Sequence, residues 1–328
     1  MIQKFCAKLT GLTLLASLFA TQPGLCQETT SKVGSSHGRL KIGLALGGGG
    51  TRGGAHVGVL KVLEEEGIPI DMIVGTSIGA IVGGMYAAGV PIENITKDML
   101  DGSVMKSFMT VPIALRIVAA PIMIIPRLWS HPYDGLYKGN LFRNYMLSAI
   151  PPAMHNIENL KIPFSAVAFN IRDCKMYAIS KGNIGYAIQA SSAVPGLRKP
   201  VEIDGRLFVD GGVYANLPAE QTREKGADIV IAVDVDEQLL DEQLDTFRKM
   251  GSVSKRMVTY ELAHDDEPQL KAADIVIHPN VDGIGLVSTK KKDMLRAYEA
   301  GIKAAREAMP AIKAKLTQVG LTSLRQTQ

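Results

Sequence analysis

Three short stretches hold residue types that could act together as a nucleophile, a base and an anion cradle. Gly75-Thr76-Ser77-Ile78-Gly79 follows the apolar run Met72-Ile73-Val74 and precedes residues 80–89, which read as a helix. A serine on so sharp a strand-to-helix turn presents its hydroxyl for attack on a carbonyl, and the turn needs glycine two residues to either side, where a side chain would crowd the backbone. The helix behind it adds N–H groups and a positive dipole end where an oxyanion would form. Gly47-Gly48-Gly49-Gly50-Thr51-Arg52-Gly53-Gly54 links a strand over 40–46 to a helix over 55–66. A glycine loop in that place lets the backbone approach an anion and points amides at it. Asp210 ends the strand over 206–210, and Gly211-Gly212 leaves its carboxylate uncrowded. That is a place for a base, although an aspartate bracing a tight turn has the same look.

Two chemistries want such a glycine loop. Gly48, Gly50 and Gly53 satisfy the dinucleotide pattern G-x-G-x-x-G, which also wants an acid near the C-terminal end of the next strand. Here that strand runs into Gly75-Thr76-Ser77, and its acid, Asp71, lies at the start. The other chemistry is acyl transfer to Ser77 with the loop as oxyanion hole, and this uses all three stretches. Histidine is the open question for the base. Ser77, Asp210 and His278 stand in the chain order of an α/β-hydrolase triad, and His56 follows the glycine loop. Only one βα unit separates Gly50 from Ser77, which departs from the triad pattern and favours a Ser77–Asp210 dyad.

In this order, Gly48-x-Gly50-x-x-Gly53, Gly75-x-Ser77-x-Gly79 and Asp210-Gly211-Gly212 resemble the patatin-like phospholipase family, including its bacterial acyl hydrolases. Ala190-Ser191-Ser192-Ala193-Val194-Pro195-Gly196-Leu197 and Asn216-Leu217-Pro218 are similar too. The likeness runs over about 40–234 and continues more weakly through Ile284-Gly285-Leu286. It implies a lipid acyl-ester hydrolase of phospholipase or lysophospholipase type. Ser77 would be the nucleophile, Asp210 the base, and Gly48, Gly49 and Gly50 the oxyanion donors. Arg52, Gly53, Gly75, Gly79, Gly211 and Gly212 complete the motifs, with no metal and no cofactor. Arg52 reads as a solvated loop arginine, or as a contact for a lipid phosphate. The alternatives are a non-catalytic lipid-binding protein or a phosphate- or nucleotide-binding protein on an α/β fold.

The elements that must position these groups alternate. Strands are expected over 162–169, 206–210, 228–234 and 274–278, with 175–179 as a hairpin arm. Helices are expected over 184–193, from a cap at Asn216-Leu217-Pro218, over 239–262 and over 290–316. Ser191 and Ser192 read as helix-end residues. The fold class is α/β: three layers, α/β/α, with a mainly parallel central sheet, patatin-like.

Residues 1–26 read as a secretory signal peptide, with Lys4 and Lys8 before an apolar run over 9–20 and turn-forming residues after it. Residues 27–39 read as a flexible linker, 40–316 as the hydrolase domain with 239–316 its C-terminal helical part, and 317–328 as a tail. The expected location is outside the inner membrane, periplasmic or envelope-associated. A lipid anchor on Cys26 is the weaker alternative, because Pro23-Gly24-Leu25 suits it poorly. Within residues 103–149, Phe108 to Leu128 is strongly apolar but broken by Pro112, Pro121 and Pro126, and the segment carries Trp129 and a net charge of +4 from Lys106, Arg116, Arg127, Lys138 and Arg143 against Asp134. The segment reads as a flap on an anionic lipid surface or as ordinary core helices with basic ends. The chain's net charge of +4 includes Lys4 and Lys8, so the chain beyond residue 26 is near +2, which excludes nucleic acid as a bulk partner. The expected partner is a phospholipid or other acyl lipid. Beyond the signal only Cys174 remains, expected buried and inert, so the fold must rest on its core.

Overall fold

The computed structural model describes residues 39–109, 133–239 and 241–320. The expected signal segment, nearly all of the linker, the end of the tail, and residues 110–132 with Trp129 lie outside the described residues. From Arg39 onward the chain gathers into one compact unit. Its strands are β1 (Ile42–Leu46), β2 (Met72–Thr76), β3 (Phe164–Asn170), β4 (Lys175–Ile179), β5 (Val201–Ile203), β6 (Arg206–Asp210), β7 (Ile229–Val233) and β8 (Ile275–Ile277). Its α-helices are α1 (Gly54–Glu65), α2 (Ile78–Ala87), α3 (Ile92–Leu100), α4 (Ser103–Phe108), α5 (Asn140–Ala149), α6 (Ile184–Ser191), α7 (Ala219–Glu224), α8 (Ser252–Asp265), α9 (Glu267–Ala272) and α10 (Lys291–Gln318).

Apolar runs without polar alternation become the middle of the sheet. All five residues of β1, of β2 and of β7 are buried, as strands covered on both faces require. Along β1 the side chains part by turns. Ile42, Leu44 and Leu46 enter the large core with Leu60 and Leu63 of α1, while Ala45 enters a smaller one with Leu217, Ala219 and Val230. Two helical layers therefore sandwich the sheet. β3, β2, β1, β7 and β8 run parallel in that spatial order. Leu46 pairs with both Gly75 and Val233, so three strands end at one level and their loops emerge together, where open α/β sheets build sites.

The sheet is mixed, because the chain returns through tight hairpins on one flank. Asp204 (φ 48°) and Gly205 (φ 71°) form a two-residue turn between the paired Ile203 and Arg206, the double positive φ that an Asp-Gly hairpin favours. β3 then does something that positions the site. Ala166 pairs with Gly75 of β2 and with Ile179 of β4, and Ala168 pairs with Tyr177 of β4 and with Asp210 of β6. β4 thus fills one edge of β3, and β2 and β6 share the other. They run in opposite directions, and their C-terminal ends meet between Val167 and Ala168.

Three expectations change. Asn216 caps no helix: α7 starts at Ala219, after Pro218, and Asn216 is buried among polar partners. Of residues 239–262, a 3₁₀ turn covers Leu244–Arg248 and α-helix begins only at Ser252. Cys174 is exposed, at φ 54° in the β3–β4 turn, where an apolar core was never in reach. At the two ends of residues 103–149, Met105, Phe142 and Met146 of α4 and α5 are buried, which agrees with the core-helix reading there. No helix among the described residues is long and apolar enough to cross a membrane.

Candidate active site

Ser77 stands between β2 and α2 with φ 52° and ψ −117°, a conformation that costs a non-glycine residue on the order of 1–3 kcal/mol and persists only when its surroundings impose it. The imposition is visible. A Cβ on Gly79 would lie on the Leu46 carbonyl oxygen, and one on Gly75 would come 2.5 Å from the Gly79 carbonyl group. The Ser77 N–H donates to Ser191 Oγ at 2.9 Å, and that hydroxyl donates to the Val167 carbonyl oxygen at 2.6 Å. From sequence alone Ser191 reads only as a helix end. Its one local signal is a small polar residue before Val194-Pro195-Gly196, and its role depends on β3 lying behind the turn.

The Ser77 hydroxyl donates to Asp210 Oδ2 at 2.7 Å, and Asp210 Oδ1 accepts the Gly212 N–H at 2.9 Å. Asp210 is 5% exposed. Burial pushes its carboxyl up to about 6, against the Gly212 and Ser77 hydrogen bonds and the field of Arg198, which pull it down. A carboxylate so placed can take a hydroxyl proton near neutral pH. Gly211 is buried against the Val167 carbonyl. The two candidate histidines, His56 and His278, are engaged elsewhere. His56 Nε2 meets the Gly47 carbonyl oxygen at 2.7 Å, and burial pushes its pKa down to about 4. His278 Nδ1 meets Asp234 Oδ2 at 2.9 Å, and that bond raises its pKa.

The glycine loop is laced into its surroundings. Gly47 N–H donates to the Val233 carbonyl at 3.1 Å, and Gly48 N–H to the Asn216 carbonyl at 3.2 Å. Gly48 is therefore corrected as an oxyanion donor, since its amide anchors the loop. Gly49 and Gly50 line the cleft with Ser77, Gly50 at φ 56° with the Leu286 carbonyl where its Cβ would be. Thr51 N–H donates to that same carbonyl at 2.9 Å. Arg52, read from sequence as solvated or phosphate-facing, is 3% exposed. Its Nε donates to the Ile284 carbonyl at 2.9 Å and Nη2 pairs with Glu237 at 3.1 Å. Gly53 packs directly on Ile78. Asn216 and Ile284-Gly285-Leu286 belong to the resemblance, but their pairing with the glycine loop, and the part of Glu237, could not be read, because they sit far along the chain.

The cleft over Ser77 has a volume of about 340 Å³, with Ile78, Ile81, Met105, Phe108, Leu197 and Leu262 among its walls. An apolar pocket with one polar pair at its base suits an acyl chain. No group of three His, Cys, Asp or Glu residues among the described residues could hold a metal ion.

An elbow serine bonded to a buried aspartate thus stands beside a glycine loop on a mixed α/β sheet, with no histidine among the described residues hydrogen-bonded to either side chain. Residues 44–223, more than half of the chain, match the family model described as patatin-like phospholipase, and the chain belongs to that family. It is 37% identical over 202 residues to lysophospholipase NTE1 of Kluyveromyces lactis, a match covering 59% of this chain and 12% of the other. It is 34% identical over 195 residues to an uncharacterized NTE family protein of Mycobacterium bovis, covering 59% and 48%. The chain thus spans from about a tenth to about half of the length of the curated relatives it matches. Among solved structures, VipD from Legionella pneumophila aligns with a TM-score of 0.49 at 16% identity, covering 84% of this chain and 67% of its own.

Proposed function

We propose that the protein hydrolyses acyl esters of phospholipids or lysophospholipids through a Ser77–Asp210 dyad. The observation that carries this is the 2.7 Å hydrogen bond from Ser77 Oγ to a buried Asp210 at the base of an apolar cleft. Asp210 takes the hydroxyl proton as Oγ attacks the ester carbonyl. The amides of Gly49 and Gly50 and the start of α2 hold the oxyanion; losing one such donor typically costs on the order of 10²–10³ in rate. Collapse expels the alcohol, which receives the proton from Asp210. Water, deprotonated by Asp210, then attacks the acyl-serine, and the proton returns to Ser77 as the fatty acid leaves. Fatty acid release from lysophospholipid micelles and phospholipid vesicles, followed by mass spectrometry, tests the reading. Wild type should release acid and Ser77→Ala none, whereas equal release by both would contradict it.

We further propose that the protein works outside the inner membrane, supported by Lys4 and Lys8 ahead of the apolar run over 9–20. Intact mass of envelope-fraction protein should lack residues 1–26. A mass that includes them contradicts export by cleavage, and an added lipid mass favours the anchor at Cys26.

A further inference from the structure

A residue outside the stretch that matches the family is linked to the glycine loop through Asn216. Asp266, between α8 and α9, is 3% exposed. Its Oδ1 accepts two backbone N–H groups, from Asn216 at 2.7 Å and Leu217 at 2.9 Å. Both polar groups of Gly48 in turn go to Asn216: the Gly48 N–H donates to the Asn216 carbonyl, and the Asn216 carboxamide donates to the Gly48 carbonyl, each at 3.2 Å. The same carboxamide donates to Asp236 Oδ2 at 3.0 Å. On its other side Asn216 Oδ1 lies 2.8 Å from where a Cβ on Gly212 would stand, and the Gly212 N–H holds Asp210. Asn216 therefore touches both the anion side and the base side of the site, and Asp266 fixes its backbone.

We propose that Asp266 is a positioning residue for the oxyanion donors, acting through Asn216 and Gly48 on the amides of Gly49 and Gly50; this rests on the hydrolase reading above. Without the Asp266 carboxyl, two buried amides lose their acceptor, and the 216–217 backbone must shift to find another. Gly48 moves with it. Displacements of about 1 Å in catalytic geometry can cost on the order of 10² in rate. The carboxyl needs no charge for this work. Oδ2 is buried without a hydrogen-bond partner among the described residues, so a proton there leaves Oδ1 free to accept both amides. An asparagine can therefore replace Asp266, whereas a glutamate, one methylene longer, cannot place the acceptor.

The test compares Asp266→Ala, Asp266→Glu and Asp266→Asn in the whole chain, using a short soluble ester and amide hydrogen exchange. Alanine and glutamate should lower kcat by about 10- to 100-fold with KM within about threefold, and should speed exchange in the 45–53 peptide. Asparagine should hold kcat within about threefold of wild type and leave that exchange unchanged. The glutamate variant keeps a carboxylate in place should the alanine variant fail to fold. Wild-type kcat in a folded alanine or glutamate variant, unchanged loop exchange, or an asparagine variant as impaired as alanine would each overturn the proposal. If wild type itself turns over no ester, the hydrolase reading fails, and the exchange data still decide whether Asp266 holds the loop.

Discussion

The Ser191 hydroxyl holds the Ser77 amide at 2.9 Å and gives its own proton to the Val167 carbonyl of the neighbouring strand, so the strained turn is tied to β3. That link fixes the orientation of the attacking oxygen. Ser191→Ala leaves a buried amide and a buried carbonyl without partners, at about 1–3 kcal/mol of stability. Thermal denaturation should show that loss, and kcat should fall about tenfold with KM little changed. An unaltered kcat would mean that the elbow holds its own shape.

Asp210 yields a pH dependence with a definite sign. A general base works when ionised, so kcat/KM should fall as pH drops through about 6. Its stability effect has the opposite direction. Because the folded value is raised from 3.8 to about 6, the folded state holds the proton more tightly. That stabilisation is full below 3.8 and lost as pH rises through about 6. Asp210→Asn should therefore abolish turnover yet melt as high as wild type or higher at pH 8, by up to about 3 kcal/mol, an advantage that vanishes near pH 4. Chemical denaturation at both pH values checks this.

Neither histidine is bonded to the dyad. His278→Ala, which removes the Asp234 contact, and His56→Gln, which can still donate to the Gly47 carbonyl, should keep activity within about threefold. A triad histidine usually supplies thousands-fold, so initial rates on a soluble ester separate the two cases.

The elbow glycines answer to sterics. Gly79→Ala would drive a methyl into the Leu46 carbonyl and should cost about 2 kcal/mol or more, or prevent folding. Gly285→Ala meets nothing within 4 Å and should stay within about 0.5 kcal/mol of wild type. Paired denaturation curves test the contrast.

How much could be read from sequence depends on the range of the interactions involved. The apolar runs of β1, β2 and β7 are local, and they could be read. Ser77 and Asp210 stood out because glycines at fixed offsets announce a crowded backbone. Gly48 looked like a donor because its spacing says nothing of Asn216, 168 positions away. Arg52 looked solvated for the same reason, its carbonyl partner at Ile284 being 232 positions distant. Asp266 carries no motif at all, and only packing shows what its carboxyl holds.

The central claim is that Ser77 is a nucleophile activated by Asp210. Labelling the folded protein with a fluorophosphonate probe, then mapping the modified peptide, tests it most directly. The account predicts a single adduct on Ser77 that is lost in Ser77→Ala and slowed at least a hundredfold in Asp210→Asn. A folded wild-type protein that takes no label at Ser77, or labels equally fast without the Asp210 carboxylate, would contradict it.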